Sequence, residues 1–100
     1  MKLYKEPEFV PVLSKNDMWK GSFSSPSGDR HCLAEWVNKV FHQNDKHFIR
    51  IKLLKIAKKL TKMDDYLAIA PINDKCSYKQ NAEIWNKTMR DIGYTEIVDY

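Results

Sequence analysis

The stretch KHFIRIKLLKIAKKLTKM, residues 46–63, decides how this chain folds. Its apolar side chains recur every three or four residues, a spacing that puts them on one stripe of an α-helix. A β-strand is the rival interpretation for FIRIKLLKI, because its first residues alternate, but the run is too long for a strand and its lysines keep helical spacing. The sequence predicts a helix over 46–63 whose inward stripe consists of Ile49, Leu53, Ile56 and Leu60.

The same stretch concentrates positive charge. Residues 46–62 include six lysines, one arginine and no carboxylate, whereas the whole chain has 17 basic and 13 acidic residues and a formal charge of +4. At helical spacing the lysines form a second stripe, away from the apolar one. The residues predicted to bind a partner are Lys52, Lys55, Lys58, Lys59 and Lys62, together with Trp19 from an earlier segment.

This lysine stripe has three interpretations. A hydrated helix face is the simplest. Ammonium groups about 5 Å apart along the helix also suit a phosphate backbone, but arginines and interleaved aromatic residues, which favour nucleic-acid binding, do not accompany these lysines. We expect a protein partner, keep nucleic acid as the alternative, and leave the oligomeric state open.

Length and composition predict one soluble domain. A chain of 100 residues holds a single hydrophobic core, and 43% hydrophobic with 30% charged residues is typical of a folded domain. No run approaches the roughly 18 apolar residues of a membrane span, and the opening MKLYKEPEFVPVL has prolines and glutamates where a signal peptide is apolar. We expect a cytoplasmic protein without membrane contact, in which 1–17 form an extended arm, 18–93 a helical core and 94–100 a terminal strand or tail.

The flanking segments complete the predicted fold. MWKGSF and SSPSGDR predict a small β-hairpin, and Asp29 is the predicted N-cap of a helix over about 30–43. DDYLAIAPIND predicts a buried strand or an extended connector that ends at Pro71. The tetrad SYKQ, which begins at Ser77, is a capping box for a last helix that Gly93 ends in a left-handed conformation. The predicted fold class is therefore α+β, with three packed helices and a short β-hairpin or terminal strands.

The chain offers little catalytic chemistry. Cys32 falls in the first turn of the first predicted helix, where backbone amides lower a thiol pKa, and His31 precedes it. Adjacent helical residues point apart, so a buried structural thiol is the favoured interpretation. A zinc set of Cys32, Cys76, His42 and His47 lacks the short spacings of zinc modules, and no glycine-rich phosphate loop occurs. We expect no enzyme activity, metal or cofactor, and a thiol-dependent enzyme is the second alternative.

A pattern of small and polar motifs spans residues 18–92. It consists of Trp19, Gly21, Gly28, Cys32, Leu33, Asn73 and Asp74. In this order the motifs resemble a family of short proteins of unknown function from actinobacteria and their phages. This chain differs from the family in two respects: it has a proline-bearing arm where the family has an amphipathic helix, and its helices are rich in lysine where those of the family are rich in alanine. The resemblance implies a small α-rich domain in a phage or mobile-element setting. We expect a small non-catalytic protein that docks on a host macromolecular complex, for example as an inhibitor of host defence.

Overall fold

The computed structural model describes residues 3–94, which form a bundle of four α-helices. A short 3-10 helix, Lys15–Asp17, precedes the bundle. The terminal strand predicted over 94–100 lies outside the described residues, apart from Tyr94. The helices are α1 (Leu33–Val40), α2 (Lys46–Thr61), α3 (Ile69–Lys75) and α4 (Tyr78–Asp91).

The predicted α+β class is wrong, because the described residues form no sheet. Their strand pairing is limited to two isolated bridges, one parallel between Met18 and His31 and one antiparallel between Ser24 and His31. Gly21 and Gly28 have φ angles of 86° and 80°, and these left-handed residues turn the chain before a ladder can extend. The predicted hairpin is instead a loop folded around His31.

The strand predicted for DDYLAIAPIND is also wrong, because this run contains α3. Pro71 is the third residue of α3, and an N–H at that position has no carbonyl partner within the helix. The proline ring therefore costs no helical hydrogen bond here. Ile69 and Ile72 face the core and are buried. A helix thus takes the place expected for a strand.

The remaining helices follow their predicted periodicity. α1 starts later than predicted, with Cys32 rather than Asp29 as N-cap, since the Asp29 carboxylate accepts hydrogen bonds from loop serines. The predicted capping box of α4 is confirmed, because Ser77 Oγ accepts from Gln80 N–H at 3.0 Å and Gln80 Oε1 accepts from Ser77 N–H at 2.8 Å. Gly93, with a φ of 109°, follows the end of α4 as predicted.

α2 lies at the centre of the bundle and contacts the other three helices. Leu60, which was predicted to face inward, is 45% exposed, since α2 is buried only as far as Ala57. Trp85 of α4 is fully buried nearby in the core. Burial of such side chains is the main source of stability. The inward stripe of α2 consists of Ile49, Leu53, Ile56 and Ala57.

Polar side chains fasten the amino-terminal arm to the bundle. The carboxylate of Asp45, at the start of α2, accepts hydrogen bonds from Tyr4 N–H at 2.7 Å and Lys5 N–H at 3.1 Å. The Asn86 side chain on α4 both accepts from Leu13 N–H and donates to Leu13 C=O. These bonds satisfy arm backbone groups that have no helix or sheet to pair with.

Candidate functional site

Four of the five predicted lysines lie on one side of α2. At 3.6 residues per turn, their positions span about 120° of the helix circumference. No residue of α2 carries a carboxylate to neutralise them. The Lys52 ammonium group stands 5.7 Å from the centre of the Phe48 ring, a cation–π contact that holds this charge near the helix surface. With the fifth lysine they form a surface that we call the lysine face, which consists of Lys52, Lys55, Lys58, Lys59 and Lys62.

Lys62 extends the lysine face beyond the last turn of α2. It is the C-cap of the helix, with a φ of 63° and a ψ of 20°, and its N–H donates to Lys58 C=O at 2.8 Å. Side chains are disfavoured in this left-handed conformation, so glycine is the usual residue at such helix ends. The chain thus carries an ammonium group where the backbone geometry favours glycine.

The lysine face generates repulsion within α2. Like charges three or four residues apart destabilise a helix by about 0.2–0.5 kcal/mol per pair. Lys55 has three such neighbours, namely Lys52, Lys58 and Lys59. The carbonyl groups at the helix end favour cations and offset part of this cost for Lys58 and Lys59. An acidic partner surface would relieve the repulsion that remains.

The end of α2 and its connection to α3 contain no fully buried residue. After Ala57 no residue is buried until Ile69, so the last turn of α2 and its connection to α3 lie at the surface. This segment combines three lysines with two exposed leucines, Leu60 and Leu67, and Leu67 is 89% exposed. Exposed apolar side chains with a polar rim mark surfaces that contact another molecule.

An apolar groove opens beside the lysine face and has no counterpart in the sequence predictions. Three separate parts of the chain supply its exposed apolar side chains: Phe23 of the loop, Ile51 of α2 and Leu67 before α3. Ile51 lies one helical turn before Lys55, so the groove and the lysine face adjoin. Its volume is about 400 Å³. We call it the α2–α3 groove, and its main lining residues are Phe23, Ala34, Ile51, Leu54, Leu67 and Ile69.

Trp19, the other residue predicted to bind a partner, makes its contacts away from α2. Its half-buried indole donates from Nε1 to Ser22 Oγ at 3.1 Å, and the Arg30 guanidinium lies 5.4 Å from the ring centre. The same guanidinium stands 4.6 Å from the ring of Tyr78 in α4. The structure therefore does not bring Trp19 together with the lysine face.

Cys32 and His31 are both buried, and burial controls both pKa values. Burial raises the pKa of the Cys32 thiol, although hydrogen bonds from the backbone of Glu35 and Ala34 act in the opposite direction. Burial also lowers the pKa of His31, whose Nδ1 lies 2.7 Å from Ser24 Oγ. A reactive thiol needs a lowered pKa and access to solvent. The dipole of α1 therefore does not activate Cys32.

We expect iodoacetamide to modify Cys32 only after the protein is unfolded. At pH 7 the raised pKa keeps the thiol protonated, and its burial keeps the reagent out. Cys76 is an internal control, because it is also buried and burial also raises its pKa. Mass spectrometry should find both thiols unmodified in native buffer and both modified in urea. Rapid modification of Cys32 alone in the folded protein would contradict this prediction and favour the thiol-dependent enzyme.

Three motif residues of the predicted family resemblance, Trp19, Gly21 and Leu33, are hydrogen-bonded to Asn73 and Asp74 in α3. Asn73 Oδ1 accepts from Leu33 N–H at 3.0 Å, and Asn73 Nδ2 donates to Trp19 C=O at 3.0 Å. Asp74 Oδ1 accepts from Gly21 N–H at 3.1 Å. These bonds join the loop and the start of α1 to α3, which gives the motif a structural role.

The described part of the chain has neither a metal cluster nor a membrane-spanning helix. Within residues 3–94, no group of three or more His, Cys, Asp or Glu side chains is placed to hold a metal ion. No helix in that range is both long and apolar enough to cross a bilayer. No family model, curated protein or solved structure matches this chain.

Proposed function

We propose that this protein is a small non-catalytic binding protein that docks on an acidic surface of a protein partner. The observation that supports it is the position of the α2–α3 groove directly beside the lysine face. An apolar centre with a charged margin is the usual organisation of protein–protein interfaces. The phage setting implied by the resemblance makes a host protein complex the expected partner.

The apolar side chains favour a protein partner over nucleic acid. Covering apolar surface contributes about 25 cal/mol per Å², and a phosphate backbone offers no apolar surface with which to cover Ile51 or Leu67. Phosphate binding requires only the charges, and the lysine face has no arginine for bidentate contacts. Nucleic-acid binding through the same lysines is the alternative that the experiment must separate.

Reversing two charges of the lysine face should abolish partner capture. We expect Lys55→Glu with Lys59→Glu to lower recovery of a specific protein from host lysate at least tenfold, because like charges placed across an interface cost several kcal/mol. Both lysines are exposed, so the variant should fold normally. Capture on immobilised protein, followed by mass spectrometry, measures the effect.

The matched control makes the same charge change on α4. Lys79→Glu with Lys87→Glu replaces two exposed lysines outside the lysine face and should capture the partner as the unchanged protein does. Equal capture by both double variants would show that the lysine face is only hydrated. Loss of capture after nuclease treatment of the lysate would instead favour nucleic acid as the partner.

A further inference from the structure

The α2–α3 groove exposes large apolar side chains that a soluble monomer normally buries. Ile51 is 49% exposed, Phe23 is 63% exposed and Leu67 is 89% exposed. Apolar cavities of roughly 150 Å³ already take up a benzene molecule, and this groove has about 400 Å³. It therefore has room for two or three apolar side chains of a partner.

Two sides of the groove are held in place by the fold. The loop that presents Phe23 is fixed to the start of α1, because Phe23 C=O accepts from Cys32 N–H at 2.9 Å. Ile51 lies within α2, the longest helix, and residues 67–70, at the end of the connection and the start of α3, form a third side. The sides formed by α2 and by the loop therefore lose little conformational entropy when a partner fills the groove.

The charges around the groove are positive. Arg50 is the charged residue among those that line it, and none of the described lining residues carries a carboxylate. Arg50 Nη2 donates to Asn38 Oδ1 at 2.6 Å, which fixes the guanidinium along the wall, and Arg50 Nε is buried without a hydrogen-bond partner among the described residues. Three carboxylates lie within two residues of the lining, those of Glu35, Asp45 and Asp65, but none of them lines the groove. The Glu35 carboxylate accepts from Asn38 Nδ2 at 3.0 Å, on the far side of the amide that holds Arg50.

This combination of shape and charge selects one kind of occupant. We propose that the α2–α3 groove binds an amphipathic helix of the partner, with apolar side chains in the groove and carboxylates toward Arg50 and the lysine face. An apolar stripe at helical spacing is the recurring ligand of such grooves. A second copy of this chain is disfavoured, because each copy has a charge of +4 and would bring its own lysine face to the contact. The inference rests on the proposed function and adds the class of ligand.

A designed peptide provides the test. The probe is a helical peptide of about 14 residues, or four turns, with leucine at every third or fourth position and glutamate elsewhere. One sibling replaces each glutamate with lysine, and another replaces each leucine with serine. We expect the unchanged protein to bind the first peptide at least tenfold more tightly than either sibling, as measured by titration calorimetry.

Variants then locate the binding site. Ile51→Ser with Leu67→Ser should weaken binding of the acidic peptide at least tenfold, because two exposed apolar contacts are lost. Phe9→Ser is the control, since Phe9 is exposed but lies outside the groove. Circular dichroism of both variants should show unchanged helix content.

Three results would overturn the inference. The first is that the acidic peptide does not bind at about 1 mM. The second is that the groove variant binds this peptide as tightly as the unchanged protein does. The third is that the unchanged protein binds phosphatidylserine vesicles at least as tightly as the peptide, and that the groove variant loses this vesicle binding. If the groove variant still captures the host partner while the variant at Lys55 and Lys59 does not, the proposed function stands and only the helix-binding groove is wrong.

Discussion

Replacing Asn73 with alanine is expected to lower the free energy of unfolding by about 2–4 kcal/mol, since it strands one buried backbone N–H, at roughly 1–3 kcal/mol, and removes a part-buried hydrogen bond worth about 0.5–1.5 kcal/mol. Asn73 is almost fully buried. Its side chain is the partner of Leu33 N–H at the start of α1 and of Trp19 C=O in the loop. Alanine leaves the buried Leu33 N–H without a partner, whereas the part-buried Trp19 C=O loses one hydrogen bond. Domains of this size have about 5–15 kcal/mol of stability in total, so the loss is a large share.

Urea denaturation followed by tryptophan fluorescence measures the effect of Asn73→Ala. The control is Asn16→Ala, which removes an exposed side chain of the same type and should change the free energy of unfolding by no more than about 0.5 kcal/mol. A loss below about 1 kcal/mol for Asn73→Ala would mean that water or a rearranged loop satisfies the two backbone groups.

Replacing Trp85 with alanine should lower the free energy of unfolding by about 3–5 kcal/mol. Trp85 is the largest fully buried side chain, and its ring centre lies 6.4 Å from those of Trp36 and Phe41. The substitution leaves a cavity at the meeting point of α1 and α4, and removes the hydrogen bond from the indole Nε1 to Pro11 C=O at 2.9 Å. The arm should therefore become more sensitive to trypsin as well.

Trp85→Phe tests the same site without emptying it. Phenylalanine keeps most of the packing but cannot donate to Pro11 C=O, so we expect a smaller loss of about 1–3 kcal/mol together with the same increase in cleavage of the arm. Trp19→Ala is the comparison, since Trp19 is only half-buried and should cost less than Trp85→Ala. An equal loss for both alanine variants in thermal unfolding would contradict the assignment of Trp85 to the centre of the core.

The sequence predicted the two helices, α2 and α4, whose own residues carry a clear helical signal. α2 has apolar residues at helical spacing over four turns, and α4 has a capping box at Ser77, so both were found close to their observed starts. α3 was missed because Pro71 was taken as a stop signal. A proline in the first turn of a helix costs no hydrogen bond, and the sequence alone does not show which turn it occupies.

The candidate site was predicted only in part. The lysines of α2 were found from their spacing, but the adjoining groove depends on Phe23, Ile51 and Leu67, which lie far apart in sequence and meet only after folding. One local sign existed, since Ile51 lies outside the inward stripe of α2. A single apolar residue on a polar helix face is common, however, and needs no explanation by itself.

The attachment of the arm to α4 has a consequence for synthesis of the chain on the ribosome. Pro11 and Leu13 bond to Trp85 and Asn86, partners 74 and 73 positions later in the sequence. Closing such long loops slows folding, because the chain loses entropy before these contacts form. During translation the first segment has no docking site until the last helix has left the exit tunnel. We therefore expect the nascent chain to complete its core only once α4 has emerged, and to expose Val10 and Leu13 to chaperones until then.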